Sequence, residues 1–253
     1  MLRCVVYGLL QERKSMLVVR PQLVRFVILF PGRTGSTFLV SALDSHPDVE
    51  AKGEVLDGLR AKGVDIQRAW VDRYLRGPVV GRSKAIGFKT KLRDVLDQEA
   101  FTAAVERYNT QIIVLDRRND VKHAVSRITA RVLRERTGRW NRYEGSEELG
   151  LLEIDPEDFA SRLGAVEEEK GVIRSFVDGL DRPHLHIDYE DLCADPPATF
   201  ETVFKYLGVR SLPVAGATLK NTSDDLREVI ANFDALRGLY LGTPYEAMFD
   251  DVG

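Results

Sequence analysis

The sequence predicts an α/β fold in which a central parallel sheet of about four or five strands is flanked by helices. Three features indicate this class: short continuous apolar runs, amphipathic segments between them, and turn residues at the boundaries. A continuous apolar run bounded by turns is typical of a strand buried on both faces of a sheet. Strands that alternate with helices of this length need right-handed crossovers, and these crossovers pair the strands in parallel.

Four segments are strand candidates, and helical patterns lie between them. The strand candidates are residues 26–30, 85–89, 112–115 and 185–187. Helices are expected from about residue 36 to the residues before Pro47, then at 66–75, 101–108, 119–136, 156–180 and 198–207, and again from about Ser223 or Asp224. Ligands of open parallel sheets bind beyond the carboxyl ends of the strands, so we expect the site where the first three strands end.

Length and composition restrict the function classes. The 253 residues suit a single domain, 1–253, with a sizeable core. A formal net charge of −3 argues against a nucleic-acid partner, whose binding surface would be basic. Two cysteines, Cys4 and Cys193, and four histidines argue against a disulfide framework and against zinc. With neither a membrane-length apolar run nor a signal-peptide pattern, we expect a cytoplasmic location.

The first predicted strand ends in a loop of small and polar residues that turns into a helix. After Pro31 and Gly32 the segment continues as Arg33, Thr34, Gly35, Ser36, Thr37 and Phe38. A helix N-terminus presents unbonded backbone N–H groups and a positive dipole end, which together favour anions. A guanidinium and three hydroxyls add donors at the same place, so the loop is predicted to bind a phosphate group. It is not a Walker A loop, because no lysine precedes the serine or threonine.

This loop resembles the 5′-phosphosulfate loop of sulfotransferases that use 3′-phosphoadenosine 5′-phosphosulfate (PAPS). A second motif follows the third strand, where Arg118 precedes Ser126 by eight residues. An Arg and a Ser at that spacing resemble the 3′-phosphate site of the same family, although the family's intervening Asp is displaced here. The resemblance implies a three-layer P-loop-like fold, PAPS as co-substrate, no metal, and transfer of a sulfuryl group to a hydroxyl or amine.

The resemblance also implies which residues carry the chemistry. The family has Lys-Thr-His at the end of the second strand; here Lys89 would lie beside the sulfonate with Arg33, and Lys91 replaces the histidine base. Lysine is a poor base at neutral pH. Glu54 is therefore the candidate base, as in several bacterial and protein-tyrosine sulfotransferases, and Glu50 is its rival. Partial burial is expected to raise the pKa of Glu54 toward the working range.

The acceptor side is expected on the irregular segment 137–155, a candidate lid, because long irregular segments in compact domains are often functional. Trp140 and Tyr143 would stack on a carbohydrate or another small hydroxylated molecule. In the family, a late basic loop covers the 3′-phosphate, and Lys220 and Thr222 would do so here. The acceptor itself and the oligomeric state are not readable from the sequence.

Several alternatives stay open from the sequence alone. Arg118 could form only a surface ion pair while Ser126 packs against the preceding turn, and Lys89 could be a solvated strand-end charge. The fold could also serve a nucleotide kinase-like P-loop phosphotransferase, which the missing lysine opposes, or a non-catalytic nucleotide-binding module. After the fourth strand, Tyr189 and Leu192 are expected to pack while the acidic residues around them cap or pair.

Overall fold

The computed structural model describes residues 23–77, 83–140, 149–180, 182–216 and 223–251. Within these residues, five parallel strands form one sheet. They are β1 (Val24–Leu29), β2 (Val49–Lys52), β3 (Ala85–Thr90), β4 (Gln111–Asp116) and β5 (His184–Asp188), in the order β2-β3-β1-β4-β5. The register pairs Ile28 with Lys89 on one side and with Ile113 on the other. The predicted α/β class with a central parallel sheet is confirmed.

Ten α-helices surround or follow the sheet in the described ranges. They are α1 (Ser36–Asp44), α2 (Val55–Leu59), α3 (Val64–Arg76), α4 (Gln98–Arg107), α5 (Asp120–Thr137), α6 (Pro156–Asp178), α7 (Tyr189–Ala194), α8 (Pro196–Leu207), α9 (Phe233–Gly238) and α10 (Glu246–Asp250). Side-chain caps fix the starts of four of them. Asp97, Asn119, Asp155 and Asp195 each accept a hydrogen bond from a backbone N–H in the first turn of α4, α5, α6 and α8.

Two segments differ from the sequence pattern. β2 is not predicted, because its four residues alternate apolar and polar side chains and it pairs only with β3 at the sheet edge. An edge strand needs no continuous apolar run. The helix expected near Ser223 is instead a short 3-10 turn at Leu226–Glu228, where the Asp225 carboxylate accepts a bond from the Arg227 N–H. That local bond closes a tight turn before α9 begins.

β1 lies at the centre of the sheet, and its side chains alternate between two apolar cores. Phe26 and Ile28 belong to the core shared with α1 and α8, whereas Val27 and Leu29 belong to the core shared with α3, α4 and α6. A third cluster joins α5 and α6 to the C-terminal α9 and α10. Among the described helices, none has the length and apolar character needed to cross a membrane. Since β3, β1 and β4 are parallel neighbours, their carboxyl ends meet at one edge.

Candidate active site

The loop between β1 and α1 lies at the carboxyl edge of the sheet and has a strained backbone. Gly32, Arg33 and Gly35 have φ angles of 85°, 59° and 75°. A positive φ is uncommon for a residue other than glycine, and such strain is typical of ligand-binding turns. α1 begins directly after Gly35. The first-turn N–H groups of a helix have no intrahelical acceptors, so this loop and helix end form a site for an anion.

Two side chains of α5 form hydrogen bonds with backbone carbonyls of this loop. Nε2 of His123 donates a hydrogen bond to the Gly32 carbonyl at 2.5 Å, and the Arg127 guanidinium donates to the Pro31 carbonyl. Burial lowers the pKa of His123 well below its usual 6.5, and the ring is fully buried. The imidazole is therefore neutral, and the carbonyl partner identifies Nε2 as the protonated nitrogen. With these two carbonyls bound to α5, the loop is held in its unusual conformation.

Lys89, at the end of β3, is the centre of the polar contacts around the loop. Its Nζ donates to Ser36 Oγ at 3.0 Å and to Thr37 Oγ1 at 2.9 Å, and it lies 3.2 Å from Glu54 Oε1. The residue is only 4% exposed, so the alternative of a solvated strand-end charge is wrong. Burial lowers the pKa of Lys89, while the Glu54 carboxylate opposes that shift. Residues from β3, α1 and the segment after β2 thus converge, as the sequence predicts.

Glu54 lies between two lysines. Its Oε1 faces Lys89, and its Oε2 accepts a bond from Lys91, which also lies 3.5 Å from Asp94. Burial alone would raise the pKa of the Glu54 carboxyl, but the two ammonium groups outweigh burial and lower its pKa below 4.5. The expectation of a raised pKa was therefore wrong, since it left out these cations. The rival Glu50 instead pairs with Lys52 at 2.9 Å on edge strand β2.

Arg33 connects the loop to the segment that follows α5. Its Nη1 donates to the Trp140 carbonyl at 3.0 Å. Burial, and next the positive charge of Arg117, lower the pKa of Arg33 to about 10, whereas Tyr189 and Glu54 oppose the shift. Thr34, which follows it, is fully buried, and its hydroxyl has no hydrogen-bond partner among the described residues. The Thr34 hydroxyl is therefore a polar group of the loop that the described residues leave without a hydrogen bond.

The structure does not join Arg118 and Ser126. Ser126 is buried on α5, one turn from His123, but it makes no hydrogen bond with Arg118. The Arg118 side chain is 53% exposed and donates to Asp188 at 2.9 Å and to Asp191 at 2.9 and 2.8 Å. The surface ion pair kept open as an alternative is thus the arrangement observed. Before Arg118 could reach a phosphate, these bonds would have to open.

Arg117 has no role in the sequence argument, which assigned the donor's 3′-phosphate to its neighbour Arg118. It is 3% exposed, and its guanidinium carbon lies 4.7 Å from the centre of the Tyr189 ring. The signal available in the sequence was the Arg-Arg pair at the end of β4, because neighbouring residues of an extended chain point in opposite directions. As expected, Tyr189 packs, and Glu190 accepts bonds from the N–H groups of Arg118 and Asn119 at 3.0 and 3.3 Å.

The acceptor side is only partly described. Trp140 is 47% exposed, and the guanidinium of Arg134 lies over its ring at 4.5 Å. The other predicted acceptor residue, Tyr143, and the two predicted covering residues, Lys220 and Thr222, lie outside the described residues. In the described part of the chain, no group of three or more His, Cys, Asp or Glu side chains could hold a metal ion.

The fold of the chain is similar to that of a solved sulfotransferase. It superposes on a solved sulfotransferase from Alicyclobacillus acidocaldarius with a TM-score of 0.51 and 18% sequence identity, covering 91% of this chain and 94% of that one. The predicted resemblance to the sulfotransferases is therefore confirmed for the fold.

Curated relatives match over most of the chain. The sequence is 25% identical over 236 residues to nodulation protein H of Rhizobium tropici, covering 89% of this chain and 92% of the relative. It is also 25% identical over 238 residues to nodulation protein H of Rhizobium meliloti strain 1021, covering 89% and 94%. No family model matches the chain. The similarity thus extends well beyond a single motif.

Proposed function

We propose that this chain is a PAPS-dependent sulfotransferase that moves a sulfuryl group to a hydroxyl or amine of a carbohydrate or other small molecule. One observation supports this most directly. The Lys89 ammonium bridges the hydroxyls of the anion loop and the Glu54 carboxylate within 3.2 Å. Donor-binding groups and a candidate base are therefore adjacent, as an in-line transfer between donor and acceptor requires.

The donor would lie with its 5′-phosphosulfate against the loop. N–H groups of Thr34 to Phe38, the Arg33 guanidinium and the Lys89 ammonium would bind the sulfonate and the phosphate next to it. Negative charge grows on that phosphate as the S–O bond breaks, and fixed positive groups stabilise it more in the transition state than in the ground state. No metal is required in this arrangement, because side chains and a helix end supply the positive charge.

The other end of the donor carries the 3′-phosphate. Ser126 on α5 would bind it, together with Arg118 once that side chain leaves Asp188 and Asp191. Lys220 and Thr222 stay a prediction for the covering loop. A remote phosphate held in this way fixes the donor for attack without touching the reacting atoms.

Glu54 would act as the base. Because Lys89 and Lys91 keep its carboxylate ionised, Glu54 can accept the acceptor's proton while the acceptor oxygen forms a bond to sulfur. The bond between sulfur and the phosphate oxygen breaks, and adenosine 3′,5′-bisphosphate leaves with the electron pair. Trp140 and the segment 137–155 would line the acceptor side, with the indole stacking on a sugar ring.

The proposal is tested by nucleotide preference and by turnover. Thermal denaturation with adenosine 3′,5′-bisphosphate should raise the melting temperature more than ATP, ADP or AMP at equal concentration, since a ligand at 100 times its Kd adds about 2.7 kcal/mol. Incubation with PAPS and a panel of sugars and phenols should release the bisphosphate. Preference for ATP with magnesium-dependent turnover would indicate a phosphotransferase instead. Tight binding of the bisphosphate without transfer to any acceptor would indicate a binding module.

A further inference from the structure

Two consecutive arginines at the end of β4 have opposite environments. Arg118 is exposed and is neutralised by Asp188 and Asp191. Arg117 is buried, and its side chain makes no hydrogen bond with the described residues; its Nε is buried without a partner, and the closest carboxylate oxygen, on Glu190, is 4.0 Å away. A buried guanidinium without a hydrogen-bonded counter-ion is costly unless another group completes its shell.

The Tyr189 ring places Arg117 next to the anion loop. On one side of the Tyr189 ring, the guanidinium carbon of Arg117 lies 4.7 Å from the ring centre. The same ring also contacts Gly35, since a Cβ atom added to Gly35 would lie 2.9 Å from it. The ring therefore packs between Arg117 and Gly35, the residue just before α1.

Charge gives a second, independent link between Arg117 and the loop. The positive charge of Arg117 is the largest contribution after burial to the lowered pKa of Arg33, so the two guanidinium groups share one region. Burial lowers the pKa of Arg117 itself as well. Two like charges in a buried region repel each other, and an anion between them removes that repulsion.

We propose that Arg117 is a donor-binding residue that acts with Arg33 on the 5′ anionic end of the nucleotide. This inference rests on the proposed function. It gives Arg117 a role that the sequence argument did not assign, because in that argument only Arg118 and Ser126, among the residues of α5 and its preceding turn, bind the donor, both at its 3′-phosphate. Arg118 and Arg117 would then act on different ends of the same ligand, Arg118 on the 3′-phosphate and Arg117 on the 5′ group.

Calorimetric titration of two nucleotides can separate these ends. Adenosine 3′,5′-bisphosphate carries both phosphates, whereas adenosine 3′-phosphate lacks the 5′ group. In Arg117→Met we expect about tenfold weaker binding of the bisphosphate and less than threefold weaker binding of the 3′-phosphate, because one charge-assisted contact is lost. Arg117→Lys should lie between Arg117→Met and the wild type. In the matched variant Arg118→Met, both nucleotides should weaken by a similar factor.

Three results would overturn the inference. Unchanged bisphosphate affinity in Arg117→Met, or an equal loss for both nucleotides, removes Arg117 from the 5′ end while the proposed function stands. A lower melting temperature of the ligand-free Arg117→Met protein with unchanged affinity assigns Arg117 to packing on Tyr189 only. A wild-type chain that binds neither nucleotide refutes the proposed function and this inference together, so the two failures are distinguishable.

Discussion

The strand ends of β3 and β4 both carry basic residues, yet the two ends differ in what surrounds those residues. At the end of β3, Lys89 is buried and contacts the loop hydroxyls and Glu54. At the end of β4, Arg118 leaves the interior and binds Asp188 and Asp191. Position at a strand end thus brings a long side chain near the carboxyl edge of the sheet. The carboxylates of distant segments then determine the direction in which the charged group points.

The two ends also differ in charge balance. Glu54 faces both Lys89 and Lys91 and lies close enough to Arg33 to affect its pKa, and Asp94 lies 3.5 Å from Lys91. Three positive groups therefore face two carboxylates. Arg118, in contrast, faces two carboxylates. An excess of buried positive charge favours an anionic ligand. The β3 end is therefore expected to dominate donor binding and catalysis.

The largest expected effect is at Lys89. Replacement by methionine keeps much of the side-chain volume but removes the ammonium that would face the leaving phosphate, so turnover of PAPS should fall by about a thousandfold. The measurement is release of adenosine 3′,5′-bisphosphate under saturating donor. The matched control is Lys84→Met, because Lys84 directly precedes the first residue of β3 and forms an ion pair with Asp48 at 2.8 Å. Equal rates in Lys89→Met and Lys84→Met would contradict the contrast between the strand ends.

The second effect concerns Glu54 as base. Glu54→Gln should lower turnover about a hundredfold, since general-base catalysis typically contributes that much or more. Glu50→Gln is the control, because Glu50 pairs with Lys52 on the sheet edge. The lowered pKa keeps the Glu54 carboxylate ionised at every pH above about 4.5. The wild-type pH–rate profile should therefore show no fall in rate from protonation of Glu54 between about pH 5 and 8. Normal turnover in Glu54→Gln would exclude Glu54 as the base.

The third effect tests how α5 supports the loop through His123. Its pKa is lower in the folded chain than the usual 6.5, so the unfolded chain binds the extra proton. The contribution of neutral His123 to the free energy of unfolding should thus be fully present above about pH 6.5. Below that pH it should decrease by up to about 1.4 kcal/mol per pH unit. His123→Leu should remove this slope and weaken bisphosphate binding about tenfold, because the Gly32 carbonyl loses its donor.

Chemical denaturation between about pH 5 and 8 measures that slope. His123→Gln keeps a side-chain N–H that can donate to the carbonyl but cannot titrate. It should therefore lose the pH dependence while keeping more of the bisphosphate affinity than His123→Leu. An unchanged slope in both variants would assign the pH dependence to other groups.

Local pattern was enough to predict the strands β1, β3, β4 and β5 and the meeting of the loop with Lys89, whereas Glu54 was proposed from the family resemblance. Apolar runs and turn residues are local signals, and parallel pairing then fixes which strand ends meet. The pattern could not predict β2, whose four residues are half polar. Nor could it predict the lowered pKa of Glu54 or the direction of the Arg118 side chain, because both depend on charges from other segments. These charges are Lys89 and Lys91 in one case and Asp188 and Asp191 in the other.

The smallest expected effect concerns the contact between the anion loop and α7, at Gly35. Alanine at Gly35 must adopt a φ of 75° and also meets the Tyr189 ring at 2.9 Å. Gly208, with a φ of 65° and no atom within 4 Å of an added Cβ, isolates the backbone cost, which is about 1 kcal/mol. Gly35→Ala should therefore destabilise the chain by about 1 kcal/mol more than Gly208→Ala, measured by denaturant unfolding. It should also weaken bisphosphate binding a few fold, which Gly208→Ala should not do. Equal stability and affinity in the two variants would mean that the Tyr189 ring moves without effect on the loop, and the proposed link from Arg117 through Tyr189 to the loop would lose its steric basis.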